Sequence, residues 1–309
     1  MNVLERTVLA PGYITQEPEA EELEFNRWPY VLALPFMVAL AAYAHAKRFL
    51  CGVLRIPTRY NCLFGDGLSV NGARVRDGAA RWPALHVIYN FTHGEGSSVL
   101  RRAIDVWWLN IRNAQAVRNR LKIAKRELRE AIVSVAKIQG RVRILSLAAG
   151  TAQGVIEVAA EFKLRGVPIE IVLVDQDASA LRYANELARR LGVEVRTVKG
   201  NALFFQNEIG DFRADIVEMM GLIDYLKDLQ VTRLFERIWR HLKPKGYFFT
   251  CHVHPNTETY FMRHIINWSM RYRTRDALED LLIAGKFDAP RLITEPHGIH
   301  TIAVAQKIV

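Results

Sequence analysis

A strand-like run that ends in small residues leads directly into a helix in the segment ILSLAAGTAQG, which contains Gly150. Such a turn lets the backbone approach a ligand closely and points the first N–H groups of the helix toward it. The next strand-like run, IEIVLVD, ends in Asp175, where a nucleotide-binding fold carries the acid that accepts hydrogen bonds from a ribose. A third run ends just before Asn201. The spacing predicts a nucleotide-like ligand beside Gly150, Asp175 and Asn201.

A second group of polar residues follows the next two strand-like runs. Asp224 and Tyr225 come shortly after DIVEMM, and His252 and His254 stand at the end of YFFTCHV. Residues two apart on a strand share a face, and a histidine at a strand tip could act as a general base. His254, Tyr225 and Asp224 are therefore candidate catalytic residues; the structural alternatives are a hydrogen-bonded loop histidine, a packed aromatic and a helix cap. No further ligand is spaced to complete a metal site with the histidines, so no metal is predicted.

Basic and aromatic residues are interleaved before residue 130. The chain carries a net charge of +10, most of it before residue 141, and nine basic residues stand against two acidic ones from Arg101 to Arg129. Arginine can hold a carboxylate or phosphate with two parallel hydrogen bonds, and aromatic rings can line an apolar pocket. A solvated helix face with core tryptophans, or an RNA-binding surface, would have the same pattern. The candidates for contact with a second substrate are Trp107, Trp108, Arg112, Arg118, Arg271 and Arg273.

The elements that must position these residues alternate regularly after Gly140. Strand-like runs (VRILSL, IEIVLVD, VEVRTVKG, DIVEMM, YFFTCHV, PRLITEP and TIAVAQKIV) are separated by helical segments, one of which is TETYFMRHIINWSMRYR. This alternation predicts right-handed crossovers, a mostly parallel sheet and ligands at the carboxyl ends of its strands. Before Gly140, residues 98–138 have helical periodicity with a break at NIRN, after which Asn113 could cap a second helix. Residues 57–97 are dense in turn formers and predict short strands or irregular structure.

The N-terminal part contains one ambiguous apolar segment. The composition, 50% apolar with 24% charged residues, excludes disordered chains and polytopic membrane proteins. Residues 28–46 carry no charge but include Pro35, so a buried helix is favoured over an interfacial or spanning anchor, and contact of residues 28–48 with a membrane surface is the alternative. The first 25 residues do not resemble a signal peptide, and the three cysteines form no CxxC pair. We expect a reducing, cytoplasmic location, with peripheral membrane attachment as an alternative.

Residues 140–309 resemble the class I S-adenosylmethionine-dependent methyltransferases. Ser146 stands where that family's first motif has an acid, and Ala148, Gly150 and Ala152 fill its glycine positions. Asp175 matches the acid that binds the ribose, and Asn201 matches the residue that meets the adenine amino group. The segment LFERIWRHLKPKGYFFT is similar to the family's helix, turn and fifth strand, with Lys245 for the first glycine of the turn. The resemblance implies S-adenosylmethionine as cofactor, held by Ser146, Ala148, Ala149, Gly150, Ala152, Asp175, Gln176, Asn201, Ala202 and Met219.

A narrower resemblance concerns the acceptor of the methyl group. Several segments are similar to bacterial methyltransferases assigned to 3-hydroxypalmitate methyl ester synthesis. They are DYL, SLAAGTAQG, and the series of Trp, Tyr-Arg and DALEDL after residue 257. A carboxylate acceptor needs no base, because its oxygen is already a nucleophile, but it needs a cationic contact and an apolar pocket. The sequence thus predicts a helical substrate or lid domain (1–140) and a seven-stranded, doubly wound α/β methyltransferase domain (141–309). This enzyme would O-methylate a carboxylate or hydroxyl of a small acidic or amphipathic molecule.

Three other functions fit parts of the pattern. RNA methylation would use the basic helices, and a degenerate scaffold would explain the altered first motif. A dinucleotide oxidoreductase shares the layout, but the full GxGxxG series is absent and the glycine turn begins only near residue 148.

Overall fold

Seven strands form one sheet in the computed structural model, which describes residues 21–57, 69–90 and 98–308. They are β1 (Val142–Leu147), β2 (Ile169–Asp175), β3 (Arg196–Lys199), β4 (Ile216–Met220), β5 (Tyr247–Val253), β6 (Arg291–Thr294) and β7 (His300–Gln306). Their order is β3-β2-β1-β4-β5-β7-β6, and β7 alone runs in the opposite direction to the other six strands. The predicted doubly wound, mostly parallel, seven-stranded sheet is confirmed.

The central strands are apolar on both sides because helices cover both faces of the sheet. Ile144 of β1 packs on one face with residues of α5 (Arg112–Gln139), α6 (Gln153–Leu164) and α7 (Ala178–Arg190). Its neighbours Leu145 and Leu147 pack on the other face with α8 (Gln206–Ile209), α9 (Asp228–His241) and α11 (Arg275–Ala284). Parallel strands buried in this way read as continuous apolar runs, which is why the alternation could be recognised in the sequence.

The long helix α5 joins the N-terminal part of the chain to the sheet. It ends at Gly140, whose φ of 69° terminates it as expected, and it follows a break after α4 (Val99–Trp108), also as expected. Asn113, however, does not cap α5; Ile111 is at the cap position. The carboxylate of Glu258 instead accepts hydrogen bonds from the N–H groups of Arg112 and Asn113, at 3.0 and 2.8 Å. A residue 145 positions away therefore accepts the hydrogen bonds of the first N–H groups of α5. No local sequence pattern could reveal this contact.

Two short helices occupy part of the segment for which turns or short strands were expected. They are α2 (Val70–Asp77) and α3 (Trp82–Tyr89), so that expectation is wrong for the described residues 69–90. Ser69 caps α2 by accepting from the N–H of Gly72. Val75, Ala84 and Ile88 are buried with residues of α4 and α5, and this packing outweighs the poor helix propensity of the segment.

The apolar N-terminal segment forms α1 (Trp28–Val53), and the helix continues through Pro35. Only Met37, Leu40 and Ala44 among its described side chains are buried, beside α4 and α10 (Thr259–His264). The expectation of a buried helix is therefore right for one face only. By length and composition, residues 34–53 could also cross a membrane.

The segment after β5 is less helical than predicted. α10 has six residues, and the chain from Asn267 to Arg273 has no regular structure before Thr274 caps α11. Trp268 and Met270 of this irregular stretch line a cavity described below. The helical pattern was misleading because these apolar residues pack on the N-terminal helices and do not form one helix face.

Candidate active site

The turn between β1 and α6 has the left-handed backbone angles that glycine favours, although only one of its three expected glycine positions holds a glycine. Ala148, Gly150 and Ala152 all have positive φ angles, of 50°, 54° and 48°. Left-handed backbone costs an alanine about 1–2 kcal/mol, so the surrounding structure must hold these two alanines in place. The alanine substitutions therefore leave the path of the turn intact.

Asp175 lies at the end of β2, directly beside this turn. Its Oδ2 accepts a hydrogen bond from the N–H of Gly150 at 2.8 Å, and its Oδ1 accepts one from the N–H of Asp177 at 2.8 Å. Each carboxylate oxygen keeps further acceptor capacity. Asp177 caps α7 by accepting from the N–H of Ser179 at 2.8 Å. The geometry fixes the carboxylate of Asp175 at the rim of a cavity, where it can accept from two hydroxyl groups.

That cavity has a volume of about 440 Å³ and lies at the carboxyl ends of β1, β2, β3 and β4. Its volume lies within the range of small-molecule sites. The sheet contributes Ala148, Gly150, Asp175, Gln176, Asn201, Ala202, Met220, Asp224 and Tyr225 to its lining. The helical part contributes mostly apolar walls, among them Leu85, Ile88, Trp108, Val117 and Met262. The cavity thus has a polar side on the sheet and an apolar side on the N-terminal helices.

The other residues predicted for the cofactor lie close to the turn but outside this cavity. Ala149 and Ala152 line a second, smaller cavity behind the turn, whereas Ser146 and Met219 are fully buried in β1 and β4. Met220, the neighbour of Met219, lines both cavities. Strand alternation turns one methionine of the pair inward and the other toward the ligand.

Arg120 of α5 is a buried cation that lines the cavity, whereas Arg81, which also lines it, is exposed. Arg120 is 3% exposed, its Nη2 donates to the hydroxyl of Tyr89 at 2.8 Å, and its Nη1 lies 3.7 Å from Sγ of Cys251. Among the described residues, its buried Nε has no hydrogen-bond partner. Gly221 follows β4 with φ 91°, and a Cβ there would lie 3.4 Å from Nη1. A charged group buried with an unused donor at a ligand cavity fits an anionic ligand.

The predicted catalytic residues separate into two positions. Asp224 and Tyr225 line the cavity, but His254 does not: its Nδ1 lies 2.8 Å from the carbonyl of Arg273 and its Nε2 lies 2.6 Å from Oγ1 of Thr301. Burial lowers the pKa of His254 as well. Both ring nitrogens therefore have partners inside the protein, as the loop-histidine alternative requires.

Asp224 and Tyr225 are themselves held by neighbours. Oδ1 of Asp224 lies 2.6 Å from Nδ1 of the buried His252 and accepts from the N–H of Val253 at 3.2 Å. The hydroxyl of Tyr225 accepts from Nε1 of Trp268 at 2.7 Å. Burial and the charge of Asp224 raise the pKa of Tyr225, so this phenol stays protonated at neutral pH and its O–H remains able to donate.

A histidine outside the predicted pair lines the cavity. His300 begins β7, opposite Val253 in the antiparallel pair, and is buried. Burial, with the positive charge of Arg120, holds the pKa of His300 well below its usual range. The neutral imidazole can accept a hydrogen bond from a ligand in the cavity, which His254 cannot reach, but burial and Arg120 disfavour its protonation.

Most arginines predicted for substrate contact bind other parts of the protein. Arg118 donates to both carboxylate oxygens of Glu24 at 2.5–2.9 Å, and Arg112 donates to Thr257 and to the carbonyl of His297. Arg273 donates to Asp228 and to the carbonyls of Ile223 and Leu226, and Arg271 is exposed. None of the four lines the cavity.

The two predicted tryptophans lie in different environments. Trp108 lines the cavity and donates from Nε1 to Ser69 at 3.0 Å, whereas Trp107 donates to the carbonyl of Pro29 at 3.1 Å and packs against Phe36 and Phe261. Consecutive helix residues point about 100° apart, so both could not face one ligand.

In the described part of the chain, no cluster of three or more His, Cys, Asp or Glu residues is arranged to hold a metal ion.

A family model described as "Putative methyltransferase" matches residues 41–307 of the chain. A search of curated proteins finds no match. Among solved structures, the chain is similar to a "possible exported protein" from Bordetella parapertussis, with TM-score 0.65 and 17% identity over 96% of this chain and 100% of that one. It is also similar to magnesium protoporphyrin IX methyltransferase from Synechocystis PCC 6803 with bound SAH, with TM-score 0.52 and 10% identity over 77% and 99% of the two chains.

These similarities agree with the site. The solved structures share the fold, and the family match covers the strands, the glycine turn and α5 together. The sequence prediction of a class I methyltransferase, and of an enzyme, is confirmed. The chain belongs to this methyltransferase family.

Proposed function

We propose that the protein transfers a methyl group from S-adenosylmethionine to an oxygen of a small anionic or amphipathic molecule. The observation that carries the proposal is the two-sided cavity, in which Asp175 and the turn at Gly150 face the apolar walls and Arg120. The finer assignment to 3-hydroxypalmitate methyl ester synthesis stays a prediction from the sequence.

The sheet side of the cavity suits the cofactor. Asp175 would accept from the ribose hydroxyls, and Asn201 and Ala202 would border the adenine. The turn from Ala148 to Ala152 would lie along the methionine end, because its left-handed residues bring the backbone to the cavity wall. When bound, S-adenosylmethionine supplies an electrophilic methyl group on a positively charged sulfur.

The helical side suits an anionic acceptor with an apolar body. Arg120 would hold a carboxylate beside the tip of β4, and Trp108, Val117 and Met262 would surround the apolar part. A carboxylate needs no base, so the protein would contribute orientation and exclusion of water. For a hydroxyl acceptor, the neutral ring of His300 would accept a hydrogen bond from the hydroxyl and orient it.

The pairing of the other cations on α5 favours a small acceptor over RNA. Arg118 and Lys122 pair with Glu24, Arg129 pairs with Glu161, and Lys125 pairs with Glu21 and Glu157. Acids within the chain thus neutralise much of the basic stretch that could have bound a phosphate backbone.

A methyl-transfer assay with labelled S-adenosylmethionine and a panel of fatty acids, aromatic acids, alcohols, amines and RNA tests the proposal. We expect turnover on acids, with kcat/KM lowered about tenfold to a hundredfold by Arg120→Met through loss of a charged hydrogen bond. Arg126→Met is the control, because Arg126 lies on the same helix, is half-exposed and pairs with Glu127. Turnover on RNA or neutral amines alone would contradict the proposed acceptor class.

A further inference from the structure

Ser146 and Glu218 form a polar pair inside the sheet that the proposed reaction has not yet used. They are direct partners in the register of β1 and β4, and Oγ of Ser146 donates to Oε2 of Glu218 at 2.6 Å. Ser146 is fully buried, whereas Glu218 is partly accessible from a cavity. Burying two polar residues in a core costs free energy unless they are fully paired, so their presence here calls for a functional explanation.

The carboxylate faces the smaller cavity, behind the glycine turn. This cavity has a volume of about 70 Å³ and is lined by the turn from Ala148 to Ala152 and by the first residues of α6. It shares Ala148, Gly150, Arg120 and Met220 with the larger cavity, so the two adjoin. A ligand with its ribose at Asp175 would extend its other end along the turn toward Glu218.

Among the described residues, the carboxylate of Glu218 accepts a hydrogen bond from Ser146 and forms no ion pair, although the charge of Arg120 acts on it. Arg120 and Lys125 of α5 line the same cavity and Cys251 of β5 lies nearby, but Lys125 already pairs with Glu21 and Glu157. Burial raises the pKa of Glu218 to about 7, although the hydrogen bond from Ser146 and the charge of Arg120 oppose that rise. A cationic ligand group at this point would favour the ionised carboxylate.

The methionine end of S-adenosylmethionine carries an ammonium and a carboxylate. The first turn of α6 has no acidic residue and no side-chain cap, so its N–H groups suit the ligand's carboxylate. Its ammonium then needs an anion, and Glu218 lines the same cavity.

We propose that Glu218 binds the α-ammonium group of the methionine moiety and that Ser146 orients its carboxylate. Since β1 has Ser146 in place of an acid, Glu218 of the neighbouring strand β4 would supply the carboxylate at this point. This inference rests on the proposed function, because it requires the cofactor to bind along the turn.

Isothermal titration calorimetry with two ligands tests it: S-adenosylhomocysteine, and the analogue in which hydrogen replaces the α-amino group. We expect Glu218→Gln to weaken S-adenosylhomocysteine binding tenfold or more and to change the affinity for the des-amino analogue less than twofold. Glu170→Gln is the control, since Glu170 lies near the start of β2, away from the cavity end of the sheet, in a surface pair with Arg143. Thermal unfolding would verify that the variants are folded.

Proton release gives a second readout that a structural role would not produce. Ammonium binding should ionise Glu218, so the wild type should release protons on binding S-adenosylhomocysteine near pH 7 and none on binding the analogue. Ser146→Ala should shift this pH profile upward, because the lost hydrogen bond no longer lowers the pKa of Glu218.

Three results would count against the inference. Unchanged affinity of Glu218→Gln for S-adenosylhomocysteine would overturn it while leaving the proposed function standing. Equal loss of both ligands would overturn it too, because Glu218 would then be only a structural counter-ion of Arg120. Failure of the wild type to bind S-adenosylhomocysteine would overturn the proposed function, and this inference with it.

Discussion

Gly150 shows how one backbone angle can control the site. Its φ of 54° is in the left-handed region, where a β-branched residue is a clear outlier, and it lines both cavities. We expect Gly150→Val to weaken S-adenosylhomocysteine binding more than tenfold while circular dichroism shows a retained fold.

Gly166 provides a matched control for this prediction. It has φ 74° near the far end of α6, is exposed, and a Cβ there would meet no atom within 4 Å. Gly166→Val introduces similar backbone strain without touching the cavity, so it should lower stability but preserve ligand affinity. Equal affinity losses in both variants would mean that strain, and not contact with the ligand, explains the effect.

Glu218 also predicts a pH dependence of stability in the ligand-free protein. Burial raises its pKa from the ordinary value of 4.5 to about 7, so the folded state binds the proton more tightly than the unfolded state does. The contribution is therefore fully present below pH 4.5 and is lost as pH rises through 7.

Glu218→Gln removes this titration and keeps an acceptor for Ser146. Relative to the wild type, the variant should gain up to about 3 kcal/mol in free energy of unfolding between pH 5 and pH 8. Urea unfolding at several pH values measures this difference. A constant difference across that range would show that Glu218 does not titrate there.

At the residue level, position along a strand predicts which side chains share one cavity, and three of the residues named for the cofactor line it together. Gly150, Asp175 and Asn201 could be named because the tips of parallel strands meet at one edge. Arg120 could not be selected from the nine basic residues of this stretch, because the sequence does not show which side chain of α5 points toward the cavity. Glu218 was hidden within an apolar strand, and His300 stands beside the predicted histidines only through antiparallel pairing.

At the scale of elements, α1 combines a narrow buried face with a broad exposed one. Leu40 is 4% exposed, whereas Leu32 on the same helix is 75% exposed. Leu40→Ala should lower the free energy of unfolding by about 2–4 kcal/mol, and Leu32→Ala should change it by less than about 0.5–1 kcal/mol. Denaturant unfolding tests both; equal effects would mean that Leu32 is covered in solution.

Elements could be predicted from the sequence where long apolar runs repeat, and this holds for the sheet and its crossover helices. The predictions failed for α2 and α3, which depend on packing by Val75, Ala84 and Ile88, and for the segment after β5. In both places contacts with distant parts of the chain decide the local structure, and single-sequence patterns do not contain them.

At the scale of the whole molecule, α5 makes one site from two parts of the chain. It packs on the sheet and against α3 and α6, and it carries Arg120 from the N-terminal part to the tip of β4. Helices before residue 112 then close the apolar side of the cavity. The proposed specificity for an anionic acceptor therefore depends on the N-terminal part, whereas cofactor binding depends on the sheet.

Calorimetry of S-adenosylhomocysteine binding to the wild type and to Asp175→Ala tests the central claim most directly. Asp175 lies between the turn at Gly150 and the cavity, so losing its carboxylate should cost roughly 2–4 kcal/mol of binding free energy. Glu170→Ala, at the opposite end of the same strand, should bind like the wild type. An affinity of Asp175→Ala equal to that of the wild type would contradict the placement of the cofactor at the end of β2.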